Sequence, residues 1–181
     1  MSSQPADLTR AVVLVTGAGG GLGQAFALEF ARRGAFVAVN DLGPAVAAAT
    51  VRTIEDAGGT ARAFVADVTD EQAVAAMVAS IERDIGPLQV LVNNAGITRF
   101  EGDAFLDMSA WRRIMAVNLD AVWSCTREVL PDMLRLERKQ SSTKPCPKPP
   151  TPNPLCSRNL LPSKPHRLHS SKPSRCRNRR I

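Results

Sequence analysis

Val12-Val13-Leu14-Val15-Thr16-Gly17-Ala18-Gly19-Gly20-Gly21-Leu22-Gly23 decides the fold of this chain. Four apolar residues, three of them β-branched, run into a glycine cluster. Over residues 22–33 the apolar positions then recur at helical spacing until Gly34. That order predicts a short buried strand, a tight turn and a helix. Glycines in such a turn reach positive φ and let the main chain approach a phosphate. The helix N-terminus adds free N–H groups and a favourable dipole.

Outward from this unit the pattern repeats. Residues 36–40 form a second apolar run, and an Ala-rich helix over about residues 45–57 stops at Gly58-Gly59. Residues 63–66 predict a third strand. Asp70 or Thr69 caps a helix with Val74, Met77, Val78 and Ile81 on one face, ended by Gly86-Pro87. Val90-Leu91-Val92 is the fourth strand. Ser109 is the expected cap of a long helix through Trp111, Met115, Val122 and Val129, which Pro131 bends or ends. Strands alternating with helices read as βαβ units, with helices on both faces of a parallel sheet. The expected class is a doubly wound α/β fold.

Three strand ends carry candidate chemistry. Asp41 closes the second strand, 20 residues after Gly21. An acid there accepts both ribose hydroxyls of NAD and repels a 2′-phosphate; the plainer reading is support of the Asn40-Asp41-Leu42-Gly43 turn. Asp67 ends the third strand and either accepts from an adenine amino group or caps the next helix. Asn93-Asn94-Ala95-Gly96 follows the fourth strand, where a buried Asn pair would tie the sheet's ends together and small residues would admit a cofactor ribose.

These motifs resemble the short-chain dehydrogenase/reductase family over about residues 10–138. Its Thr-Gly-x-x-x-Gly-x-Gly pattern is met by Thr16, Gly17, Gly21 and Gly23, its Asp-Val pair by Asp67-Val68, and its Asn-Asn-Ala-Gly by residues 93–96. Val117-Asn118-Leu119 is similar to the motif whose Asn opens the family's catalytic tetrad. The resemblance implies a Rossmann-type fold and a cofactor site drawn from Thr16, Gly17, Gly21, Leu22, Gly23, Asp41, Asp67, Val68, Asn94, Ala95 and Gly96. NAD is the implied cofactor, NADP less so, and no metal is implied. Residues 39–43 look like NAD-dependent 3-hydroxyacyl-CoA dehydrogenases, and residues 94–99 like 3-oxoacyl reductases, which points to acyl thioester substrates.

The family's hydride transfer also implies a Tyr as general acid/base, a Lys four residues later, a carbonyl-polarising Ser, and the helix Asn holding a relay water. This sequence has no Tyr. Family spacing places the Tyr and Lys at Asn159 and Ser163, and Ser141 and Ser142 come too early for the Ser. Asn118 alone remains of the tetrad. The expectation is an oxidoreductase in truncated form, inactive as written. The alternative is a non-enzymatic NAD-binding or partner-binding protein with a polyanion-binding tail.

Composition breaks sharply at residue 138. Every Ala, Val, Gly, Asp and Glu precedes residue 139, and every Lys follows residue 138. The five lost types are those encoded by codons beginning with G, so residues 139–181 read as out of frame or as an unrelated exon, against a selected basic extension. Residues 1–138 carry a net charge of −5 and residues 139–181 one of +11. Nine of the 13 Pro lie in the second segment, which is expected to be disordered. The domains read as 1–138, a partial Rossmann domain ending after about the fourth strand and its helix, and 139–181, a basic Pro/Ser-rich tail. The tail replaces the fifth to seventh strands that the resemblance implies, leaving the fourth with an open edge.

Eleven positive charges without aromatic interleaving suggest no specific nucleic-acid partner. No apolar run reaches transmembrane length, and MSSQPADLTR lacks a signal pattern, so the expected place is the cytoplasm with no membrane partner. Cys146, Cys156 and Cys176 match no zinc or redox spacing. The resemblance implies a small-molecule substrate and an oligomer, the latter put in doubt by the lost packing partners.

Overall fold

The computed structural model describes residues 8–98 and 107–142, with side chains through residue 136. Its centre is β1 (Val12–Val15), buried throughout. β2 (Phe36–Asp41) and β4 (Val90–Val92) flank it and β3 (Thr60–Val65) lies beyond β2, giving the order β3-β2-β1-β4 with every pairing parallel.

Alternate strand residues feed two layers, because successive side chains leave a strand on opposite faces. Val13, Val15, Val37 and Val39 pack in one cluster with α1 (Gly21–Arg32) and α2 (Pro44–Asp56), through Ala27, Ala31, Ala47 and Ile54. Val12, Leu14, Ala38 and Phe64 face the other way, toward Met77, Val78 and Ile81 of α3 (Glu71–Asp84) and Val129 of α5 (Ala121–Ser142). Small Ala side chains on α1 and α2 let those helices lie close to a Val-rich sheet. The doubly wound parallel architecture expected from the sequence is the one observed.

Several boundaries differ, each for a local reason. β3 begins at Thr60 rather than residue 63, because Arg62 continues the register opposite Ala38. Its guanidinium lies 5.6 Å from the Phe64 ring centroid and pairs with Asp84 at 3.1 Å, so a charged residue fits the outer strand. Asp70 caps α3, its Oδ1 accepting from the Gln72 and Ala73 main-chain N–H groups at 2.9 and 3.2 Å. Ser109 is not the cap of α4 (Met108–Met115). Asp107 is, accepting from the Ser109 N–H at 2.8 Å and from its hydroxyl at 2.6 Å. A π-helical segment, Ala116–Asp120, joins α4 to α5. Pro131 does not end the helix, which runs on to Ser142.

Among the described residues β4 is an edge strand, half-buried at each of its three positions. Trp111, Leu119, Trp123, Leu130 and Leu134 are all exposed along α4, the π segment and α5. The chain divides after Lys144. The second unit lies outside the described residues, together with the expectations placed on Asn159, Ser163 and the tail cysteines, and so do the side chains of Ser141 and Ser142. No described helix is long and apolar enough to cross a membrane.

Candidate nucleotide-binding cleft

A cleft of about 510 Å³ opens at the carboxyl ends of the strands. Strand order reverses at β1, whose neighbours β2 and β4 carry the chain in opposite directions across the sheet. Such a reversal leaves a crevice beyond the strand ends. The glycine turn forms its floor, and the ends of β2, β3 and β4 form its walls.

Thr16 lies beneath the turn, 2% exposed, and does not line the cleft. Its hydroxyl accepts from the Asn94 and Ala95 main-chain N–H groups at 3.0 and 3.1 Å and donates to the Val92 carbonyl at 3.3 Å. Asn94 returns the link, donating from Nδ2 to the Thr16 and Gly17 carbonyls at 2.9 and 3.1 Å. This reciprocal set fixes the end of β4 against the end of β1. A Cβ on Gly23 would overlap the Gly17 carbonyl oxygen and Asn94 Nδ2, so only glycine permits the approach. Asn93 departs from the expected buried pair: it is exposed and donates to the Thr126 hydroxyl on α5 at 3.1 Å.

The opposite wall is built from β2. Asp41 Oδ2 accepts from the Gly19 N–H at 2.9 Å, and Oδ1 from the Gly43 N–H at 3.1 Å. Asn40 is 1% exposed; it donates to the Phe64 and Ala66 carbonyls, both at 3.1 Å, and its own carbonyl accepts from Ala18 N–H at 2.8 Å. β3 contributes Asp67, whose Oδ1 accepts from the Thr69 N–H and hydroxyl at 2.9 and 2.7 Å. It therefore shapes its own turn and does not cap α3. These two Thr69 bonds, with the more distant Arg113 charge, hold the Asp67 carboxyl below its ordinary range. Both bonds fall on Oδ1, and Asp67 borders the cleft.

Asn118 sits on the π-helical segment, outside the cleft lining. Its Oδ1 accepts from the Ile97 N–H at 2.8 Å and its Nδ2 donates to the Ile97 carbonyl at 2.9 Å. One side chain thus closes both hydrogen bonds of a main-chain unit beyond β4. Gly21, the first residue of α1, like Thr16 does not line the cleft, whereas the other nine expected cofactor residues do. Leu42, Thr69, Ile97, Arg113 and Val117 line it too, though the sequence did not mark them as cofactor residues. Arg113 is the basic member of this wall. It reaches the lining from α4, far along the chain from the Asp67–Thr69 and Asn94–Ile97 stretches that share it, an approach that no sequence spacing encodes.

With the glycine turn facing the reversal of strand order, the molecule is a Rossmann-type α/β protein. Residues 11–143 match the family model described as short chain dehydrogenase, and the chain belongs to that family. It is 41% identical over 128 residues to Nodulation protein G of Azospirillum brasilense, covering 70% of this chain and 52% of that protein. It is 40% identical over 123 residues to a 3-oxoacyl-[acyl-carrier-protein] reductase of Staphylococcus aureus, covering 67% and 50%. A metagenomic short-chain oxidoreductase solved in complex with NADP superposes with a TM-score of 0.69 at 32% identity, over 73% of this chain and 60% of that one. The chain spans about half the length of the curated relatives it matches.

Proposed function

We propose that this chain holds the dinucleotide of a dehydrogenase or reductase, prefers NAD to NADP, and as written turns over no substrate. The observation that carries the cofactor preference is the Asp41 carboxylate at the end of β2, on the wall of the cleft. A 2′-phosphate beside it would meet like charge, and neither the glycine turn (residues 16–23) nor β2 and its turn (residues 36–43) contains a Lys or Arg to offset it. The solved relative that carries NADP marks the competing choice. Titration calorimetry with both dinucleotides decides it: tighter NADP binding would refute the preference.

In this reading the nicotinamide supplies or receives the hydride when bound, and the protein's residues orient it. The turn's main chain meets the pyrophosphate at the N-terminus of α1, Asp41 takes the adenosine ribose, and Asp67 faces the adenine. Proton transfer is the missing part. A positioned general acid/base contributes roughly 10²–10⁴-fold, and the chain has no Tyr. Asn118 already spends both ends of its amide on Ile97. The resemblance of residues 39–43 and 94–99 to acyl thioester enzymes, with the reductase relative, makes 3-hydroxyacyl and 3-oxoacyl thioesters the substrates to try. The expected rate of NADH formation or consumption equals background. Robust turnover that disappears in Asn118→Ala would overturn this. A chain active only once the reading frame after residue 138 is restored would locate the defect there. A reducing cytoplasm suits the free, buried thiol of Cys125.

A further inference from the structure

We propose that Asp41 is a positioning residue for the glycine turn itself, so that neutralising it weakens NADP binding along with NAD binding. This rests on the reading that the cleft takes a dinucleotide. An ionised carboxylate has about four acceptor sites. Two are filled by the Gly19 and Gly43 N–H groups, one on each oxygen. The remaining two match a pair of ribose hydroxyls. One side chain therefore joins the part of the site that meets the ribose to the part that meets the phosphates.

The packing supports that join. A Cβ on Gly19 would stand 2.7 Å from Asp41 Oδ2 and 2.6 Å from Val46 Cγ2, so turn and carboxylate are in direct contact. Gly20 and Gly21 have nothing within 4 Å on their Cβ side. The open middle of the turn is thus held from its two flanks. Gly17 is fixed by Asn94 and Ala95, while Ala18 and Gly19 donate to Asn40 and Asp41. Removing the acid's charge relieves repulsion of a 2′-phosphate, and on that ground alone NADP should gain. Asparagine, however, has one oxygen with about two acceptor sites, and its amide group donates. It cannot serve Gly19, Gly43 and a ribose together, so the turn loses a fixed flank whichever dinucleotide is offered.

The test uses the full 181-residue chain, the variants Asp41→Asn and Gly19→Ala, and three probes: NAD, NADP and 2′,3′-dideoxyadenosine 5′-diphosphate. The last has no ribose hydroxyl to offer Asp41 and reads the turn alone. Losing one charge-assisted hydrogen bond is worth about tenfold. Both variants are expected to bind the dideoxy probe about tenfold more weakly, Asp41→Asn to lose NADP affinity as well but by less than that because the repulsion is relieved, and the double variant to lose little more than either single one. A purely structural defect would lower the melting temperature and leave affinity below it unchanged, which would overturn the proposal. So would unchanged dideoxy binding with tighter NADP binding in Asp41→Asn. Amide exchange without nucleotide gives an independent reading: the Gly19 amide should be protected in the parent and exchange at least tenfold faster in Asp41→Asn. An unprotected Gly19 amide in the parent sinks the idea even where Asp41→Asn does not fold. If no probe binds the parent, the dinucleotide reading fails, and amide exchange still decides the role of Asp41.

Discussion

Replacing Thr16 by Val keeps the shape of a side chain that is 2% exposed while deleting its hydroxyl. That hydroxyl uses its full capacity, one donated bond to Val92 and two accepted from Asn94 and Ala95. Valine would orphan two main-chain N–H groups. A buried unsatisfied donor costs about 1–3 kcal/mol. Asn94 and Ala95 are half-buried, so the lower end applies and Thr16→Val should cost about 2 kcal/mol in all. Thr16→Ser keeps the hydroxyl and loses one methyl, about 1 kcal/mol. With a urea slope of about 1.5 kcal/mol/M, the two variants should lower the denaturation midpoint by about 1.3 M and 0.7 M respectively. Far-UV circular dichroism in urea measures this. If Thr16→Ser proves the more damaging, the hydroxyl is not what joins β1 to β4, and the account of the cleft's floor fails with it.

Glu29 accepts from Arg32 and Arg33, whose hydrogen bonds hold its carboxyl at about 2 against an ordinary 4.5. Because the folded value is the lower, its contribution to stability is present above pH 4.5 and lost as pH falls toward 2. An NMR titration should find the low value, shifted upward by salt because the pair is exposed, and Glu29→Gln should remove that pH dependence. Burial pushes the Cys125 thiol up. With the three tail cysteines changed to Ser, iodoacetamide should label Cys125 only across the unfolding transition, and rapid labelling of the native chain would contradict its placement. Pro131 offers no N–H to the Arg127 carbonyl inside α5, so Pro131→Ala should raise the urea midpoint, by about 1 kcal/mol or more in stability.

The sheet was legible because its strands are largely apolar runs that end at Thr16-Gly17, Asp41, Asp67 and Asn93, and Val90–Val92 appears at the residues its pattern predicts. The start of β3 was not, since Arg62 reads as surface until its stacking on Phe64 and its pairing with Asp84 are visible. The π-helical segment left no mark in Ala-Val-Asn-Leu-Asp, whose spacing is that of an ordinary helix. Its Asn118 bonds to a residue 21 positions away, a tertiary fact. At the cleft, the glycine turn and Asp41 were read from position alone. The sequence posed ribose contact and turn support as alternatives for Asp41, and hydrogen-bond geometry gives it the second while leaving acceptor sites for the first. Arg113 escaped because it enters the lining from a helix more than forty residues along the chain from Asp67, a tertiary approach without a local pattern.

The exposed face of α4 and α5 also governs what light can report about this protein. Trp111 and Trp123 are its only two tryptophans, there is no tyrosine, and both indoles stand more than half exposed on that face. Intrinsic emission therefore originates outside the Val-rich interior and should peak at long, water-like wavelengths even in the native state. Unfolding the sheet would change the spectrum little, and a flat fluorescence trace in urea would not mean an unfolded start. Anything that settles on the helix pair would shift the emission to the blue with the sheet undisturbed. The same two indoles are poor witnesses to folding and direct ones to association.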